Sequence, residues 1–197
     1  MLEEEYNPPR QLPRHLRAAS APEPAFAYSI RSGTAADIPD MLEIYNHYVA
    51  NSTVTFDEDP LTLREMRQRF AAAQKLGHPW LVAETPSHQV IGYAYVTPWR
   101  QRAAYRHTVE DSIYLRPAST GKGLGTALLG ALVEASREAG IREIIAVIAD
   151  RGAEGSIRIH ERFGFQNIGH MGKVGYKFGR YLGTVLLQLS LKRARRG

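Results

Sequence analysis

The apolar positions of this chain change period several times, and each change marks an element. Tyr28-Ser29-Ile30-Arg31 reads as a short opening strand. Thr34-Ala35-Ala36-Asp37 then opens a helix whose Ile38, Met41, Leu42 and Tyr45 recur on one face at helical spacing. The polar, β-branched run from Asn51 to Phe56 ends it. Thr62 caps a second helix, with Glu65 in capping-box position and Leu63, Met66 and Phe70 as the apolar face. Residues 80–84 and 90–96 read as the arms of a hairpin across Pro86-Ser87-His88-Gln89. Residues 109–115 form another strand, and Leu124, Ala127, Leu128, Ala131, Leu132 and Ala135 trace a third helix. Residues 143–149 are a near-continuous apolar run, as expected of a strand buried on both faces. A short helix from Ser156 to Phe163 is closed by Gly164, and residues 165–174 and 184–191 are final strands. The predicted order is β-α-α-β-β-β-α-β-α-β-β. That order implies an α/β fold: one mixed sheet with helices on both faces.

Between the strand at 109–115 and the third helix, Gly121, Gly123 and Gly125 occupy every second position. A strand that runs through a glycine loop into a helix aims unpaired backbone N–H groups and the positive end of a helix dipole at one spot. A diphosphate fits such a spot, and so does a plain flexible connection. Two nucleotide motifs fail: Lys122 is followed by Gly123 rather than Ser or Thr, and Gly123-Leu124-Gly125-Thr126-Ala127 does not supply G-x-G-x-x-G/A.

Composition narrows the picture. A chain of 197 residues makes one domain the default. Residues 1–25 carry Pro8, Pro9, Pro13, Pro22 and Pro24 and read as a flexible extension; 26–191 carry the domain. The net charge of +5 sits mostly at one end, because Lys192, Arg193, Arg195 and Arg196 contribute four of it within a basic tail at 192–197. A solvated tail explains this better than a nucleic-acid surface, and no RNA-binding aromatic motif or zinc-finger spacing is present. With no cysteine, disulfides and thiol catalysis are excluded. No apolar run approaches the roughly 18 residues of a membrane span. The N-terminus lacks an apolar signal core, so a cytoplasmic protein is expected.

Four further blocks decide the chemistry: Ile44-Tyr45-Asn46-His47-Tyr48 with Ser52 to Phe56; Pro79 to Glu84; Trp99 to Tyr114; and Ser156 to Phe165. With the loop Thr120-Gly121-Lys122-Gly123-Leu124-Gly125, they make residues 28–191 resemble the phosphinothricin and methionine sulfoximine acetyltransferase branch of the GCN5-related N-acetyltransferase superfamily. The resemblance implies a central sheet splayed open between its fourth and fifth strands. It implies acetyl-CoA as co-substrate, no metal, and a small amine as acceptor. Coenzyme A would lie along Ile113, Tyr114 and Leu115, over Gly121, Lys122, Gly123, Leu124, Gly125 and Thr126, and by Ser156. The resemblance makes Glu110 the general base, suited to freeing an α-amine whose ammonium form has a pKa of about 8. Alternation places the neighbouring Asp111 on the opposite face. His160 stands where many relatives place a tyrosine that protonates the departing thiolate. Phe56, Arg100, Arg102 and Tyr105 would line the acceptor pocket, arginine being suited to a carboxylate or phosphinate. A homodimer is implied as well.

The chain departs from this pattern in three places. Thr120 replaces the usual Gln or Arg that opens the coenzyme signature. The loop 150–155 is one residue longer than the family's and lacks the usual asparagine. Tyr181-Leu182-Gly183 stands for Trp-x-Asp. Two alternatives remain open: another amine acceptor (a polyamine, an antibiotic or a protein N-terminus), and a non-catalytic coenzyme-binding or nucleic-acid-associated protein.

Overall fold

The computed structural model describes residues 26–191, so the expected extension 1–25 and basic tail 192–197 lie outside the described residues. The elements are β1 (Ser29–Ser32), α1 (Ile38–Asn51), α2 (Leu63–Lys75), β2 (Trp80–Glu84), β3 (Val90–Pro98), β4 (Thr108–Leu115), α3 (Leu124–Glu138), β5 (Glu143–Ala149), α4 (Glu154–Arg162), β6 (Gln166–Lys177) and β7 (Arg180–Ser190). Their order is the predicted one. They build one seven-stranded sheet, β1-β2-β3-β4-β5-β7-β6. All pairings are antiparallel except β4 with β5.

Strand alternation divides the interior in two. Leu81, Ala83, Ala94, Val96 and Val109 face α3 and α4, against Leu124, Leu128, Leu129 and Leu132. Trp80, Val82, Tyr93 and Tyr95 face α1 and α2, against Met41, Tyr45, Met66 and Phe70. The four α3 leucines are fully buried. Each contributes about 1.5–3 kcal/mol relative to an exposed side chain. They fix the helix, and therefore its N-terminus, against β2, β3 and β4.

The helix starts follow the expected chemistry with small shifts. Thr62 accepts from the Glu65 N–H and Glu65 accepts from the Thr62 N–H, so the capping box holds α2. Thr34 to Asp37 form a 3-10 turn rather than the first turn of α1, because the Asp37 carboxylate folds back onto the Thr34 N–H and hydroxyl. α4 begins at Glu154, two residues earlier than predicted. β6 and β7 were expected to be separated by residues 175–183. They join instead through Phe178 and Gly179, both at positive φ. That pair of left-handed residues is the geometry of a tight hairpin turn, so both strands run longer than predicted.

Candidate active site

β4 and β5 are in register only at Thr108–Glu143, Val109–Ile144 and Glu110–Ile145. Past Glu110 the two strands part. Their facing backbone groups, along residues 111–115 and 146–149, lose each other as partners. The wedge between them is part of a cavity of about 1100 Å³, lined on its two sides by Asp111 to Leu115 and by Ala146 to Ala149.

One end of this cavity is the glycine loop. Gly121 and Gly123 adopt φ of 72° and 81°, a region that other residues enter only with strain. Gly123 is the N-cap of α3, and no side chain caps the helix. The first helical backbone bond runs from the Ala127 N–H to the Gly123 carbonyl, leaving the preceding N–H groups of the turn open. Gly121, Gly123, Gly125 and Thr126 line the cavity, as do Ile113, Tyr114, Leu115 and Ser156. Two of the expected coenzyme residues do not. The Leu124 side chain is buried in the core, and the Lys122 ammonium lies 4.8 Å from the centre of the Phe26 ring. Thr120 lines the cavity and turns its hydroxyl back onto the Pro117 carbonyl.

The other end is phenolic. Glu110 occupies the last register pair before the split and lies opposite Thr97 of β3. Around it the lining includes Tyr45, Tyr48, Thr55, Phe56, Tyr95 and Arg69. Burial and the charge of Asp111 push the Glu110 carboxyl above the usual carboxylate range, with Arg100 pulling partly against them. Burial pushes the Tyr95 hydroxyl up to about 12 and that of Tyr114 well above its ordinary value. These phenols therefore stay protonated near neutral pH and serve as hydrogen-bond donors. Among the groups at this end, Glu110 is the one suited to take up a proton.

Asp111 points to the opposite face, as alternation requires. Its Oδ2 lies 2.9 Å from His160 Nε2, and His160 Nδ1 lies 2.7 Å from the Ser156 carbonyl oxygen. A carbonyl can only accept, so Nδ1 carries a proton, and Nε2–H donates to the carboxylate. Burial pulls the imidazole pKa down, but the Asp111 hydrogen bond and charge, with the Ser156 carbonyl, outweigh it and leave the value raised. His160 is 2% exposed and Asp111 7%. Both ring nitrogens are thus committed, and His160 would have to release Asp111 before giving a proton to a ligand.

Phe56 lines the cavity, whereas Arg100, Arg102 and Tyr105 are exposed and outside its lining. The Arg100 guanidinium stacks 4.4 Å from the centre of the Trp99 ring. At the phenolic end the guanidinium comes instead from Arg69 of α2, which donates to the Tyr45 hydroxyl at 3.2 Å and to Asp57 at 3.1 Å. Arg158 and Arg162 line the cavity from α4. The sequence reading missed all three. For Arg69 a signal existed: it sits three residues after Met66 and one before Phe70, on the border of an apolar helical face.

Acetyl-CoA would fit these residues. The open N–H groups at the α3 N-terminus suit a diphosphate, and the unpaired edges of β4 and β5 suit a chain of amides. Two buried polar atoms of the lining, Asp111 Oδ1 and Thr184 Oγ1, have no hydrogen-bond partner among the described residues and suit a polar ligand group. Among the described residues, no group of three or more His, Asp or Glu side chains is placed to hold a metal ion, and no helix is long and apolar enough to cross a membrane.

Comparison with known proteins agrees with this geometry. A family profile described as the Acetyltransferase (GNAT) domain matches residues 30–186. The chain is 42% identical over 163 residues to an L-methionine sulfoximine/L-methionine sulfone acetyltransferase of Pseudomonas paraeruginosa, covering 83% of this chain and 94% of that one. It is 40% identical over 165 residues to a phosphinothricin N-acetyltransferase of Alcaligenes faecalis, covering 84% and 83%. Among solved structures it resembles a phosphinothricin acetyltransferase of Sinorhizobium meliloti in complex with AcCoA, with a TM-score of 0.81 and 40% identity over 86% of this chain and 94% of that one.

Proposed function

Since this chain belongs to the GNAT acetyltransferase family and is an acetyl-CoA-dependent N-acetyltransferase, we propose that it acetylates the α-amine of a small amino-acid-like molecule, of the methionine sulfone, methionine sulfoximine or phosphinothricin type, with Glu110 as general base. The observation that carries this reading is the placement of Glu110. Among the described residues it is the one carboxylate lining the phenolic face of the cavity where the sheet parts, and its pKa is raised by burial and by Asp111.

Acetyl-CoA supplies the activated acyl group. The chain holds it through the glycine loop and the freed edge of β4. An acceptor on the α1–α2 face has its ammonium against Glu110, which takes the proton and leaves a neutral amine. The amine then attacks the thioester carbonyl, and backbone N–H groups of β4 released by the split meet the negative charge that develops on its oxygen. The C–S bond breaks, so that the amide forms, the attacking nitrogen loses a proton and the coenzyme thiolate takes one up. Arg69 and the tyrosine hydroxyls receive the acceptor's anionic or sulfonyl end. The exposed Arg100 and Arg102 precede Glu110 in the chain, as does Tyr105, and the positive charge of the two arginines favours anionic over polycationic acceptors. We read His160 as the clamp that holds α4 on β4, acting as an acid only if its bond to Asp111 opens. The reaction belongs in the cytoplasm, with acetyl-CoA.

The test is thiol release from acetyl-CoA against methionine sulfone, methionine sulfoximine, phosphinothricin, a polyamine and a peptide. Turnover should be confined to the first three. Turnover with the polyamine or peptide alone would overturn the acceptor assignment while leaving the enzyme class intact.

We also propose a homodimer. Ile168, Met171, Val174, Tyr176, Phe178 and Tyr181 are all exposed on the β6–β7 hairpin, Tyr181 to 64%, and β6 is the edge of the sheet. So many large apolar side chains on one hairpin mark a covered surface, and a second copy is the simplest cover. Sedimentation should give twice the 22.0 kDa chain mass. The double substitution Phe178→Lys, Tyr181→Lys should return the mass to that of one chain; a wild-type monomer at all concentrations would rule the dimer out.

A further inference from the structure

Lys177 ends β6, yet it is only 2% exposed and ranks among the largest fully buried side chains. An ammonium in such a place is costly unless its protons are used. Here Nζ donates to the Ser52 carbonyl and to the Thr55 carbonyl, each at 2.9 Å. Those two carbonyls belong to the first part of the loop between α1 and α2, the part that carries Val54, Thr55 and Phe56 into the cavity. Among the described residues, no other hydrogen bond ties this loop's backbone to the sheet: Val54 N–H bonds to Ser52 Oγ, and Asp57 N–H to Thr55 Oγ1, both within the loop itself.

Two residues earlier on the same strand, Gly175 performs a second task. A Cβ there would stand 2.4 Å from Phe56 Cε2 and 2.5 Å from Cδ2. The Phe56 ring thus lies directly on the β6 backbone, and only glycine leaves it room. β6 therefore grips the loop twice, by an ammonium on its carbonyls and by a bare backbone under its aromatic ring.

We infer that Lys177 is a positioning residue for the acceptor: it mounts the Ser52–Phe56 wall of the pocket on the β6–β7 hairpin and so sets the affinity for the acceptor without touching it. This rests on the reading of the phenolic end as the acceptor side. The coenzyme end is held by other elements, the glycine loop, α3 and α4, so the two substrates should respond differently when the mount is cut. A side chain that merely supports the fold would affect both alike.

The experiment pairs Lys177→Met with Gly175→Ala, which disturbs the same wall from its other grip and covers the case in which the first variant does not fold. For each variant the KM of acceptor and of acetyl-CoA are measured, and amide hydrogen exchange is followed in the loop and in α3. The acceptor KM should rise on the order of 10- to 100-fold, the scale expected of a displaced binding wall, with the acetyl-CoA KM unchanged. Exchange should quicken at residues 52–57 and stay as in wild type in α3. A common rise in both KM values, or unchanged exchange in the loop, would overturn the inference. If the loop loosens and acetyl-CoA still binds normally while the acceptor KM stays put, the mount exists but does not set acceptor affinity, and the inference fails on that count. Should the wild type acetylate none of the amine panel, the acceptor reading fails separately, and exchange at 52–57 still decides whether Lys177 holds the loop.

Discussion

Glu110→Gln should lower kcat for acetyl transfer by about 10²- to 10³-fold, equivalent to about 3–4 kcal/mol of lost transition-state stabilisation. Glutamine keeps the volume and the hydrogen-bonding reach of the side chain but cannot accept the ammonium proton. The pH dependence makes the test specific. Burial and the Asp111 charge hold the wild-type carboxyl above the ordinary carboxylate range. As a base it must be ionised, so the wild-type rate should fall as pH drops through that raised value. The variant should lose this acid limb. Binding of acetyl-CoA, followed by calorimetry, should be unaffected, because the residue faces the α1–α2 side and the glycine loop lies at the other end of the cavity. Full turnover with an unchanged pH profile would remove Glu110 from the mechanism.

Asp111→Ala should destabilise the folded chain by about 3–5 kcal/mol near pH 6, the usual consequence of stripping one partner from a buried pair. For a chain of this length that corresponds to a fall in Tm of roughly 10 °C. The sign of the pH dependence follows from His160. Its folded pKa is raised, so its contribution is fully present below the unfolded value of about 6.5 and is lost as pH rises through the raised one. Without Asp111, burial drives the imidazole neutral, with Nδ1–H still on the Ser156 carbonyl. The gap between wild type and variant should therefore be widest at or below pH 6.5 and narrow in alkali. Urea unfolding at two pH values measures it. A gap that is constant or grows with pH would mean that His160 is neutral in the native protein.

Most of the scaffold was legible because its signals are local. The alternation in residues 109–115, the glycine spacing at 121–125 and the leucines of α3 lie within one element each, and side-chain burial follows directly from them. What escaped depends on contacts across long stretches of chain. The β6–β7 turn was missed because Phe178 takes a positive φ that its residue type does not advertise; an Asn-Gly pair would have. Arg69 and the tyrosines 45, 95 and 114 come from four separate elements and meet only once α1 and α2 pack on β3 and β4. The roles of Arg100, Arg102 and Tyr105 came from resemblance alone, and folding leaves them exposed on the loop before β4. Lys177 looks like any solvated lysine in a polar strand until the loop 52–55 closes over it, 122 residues away in sequence from its Thr55 contact.

The parting of β4 and β5 also has a bearing on solubility. A strand edge is where one protein molecule can zip onto another, and folded proteins shield their edges by charge, twist or cover. This sheet has its two outer edges, at β1 and β6, and by opening in the middle it makes two more. These lie inside a narrowing wedge, closed at its base by three register pairs and overlooked by α4. An intruding strand would have to thread lengthwise into a blind cleft, whereas a slender ligand with a few amides can slide in. The protein can thus keep unsatisfied strand backbone ready for a substrate without offering it to its neighbours.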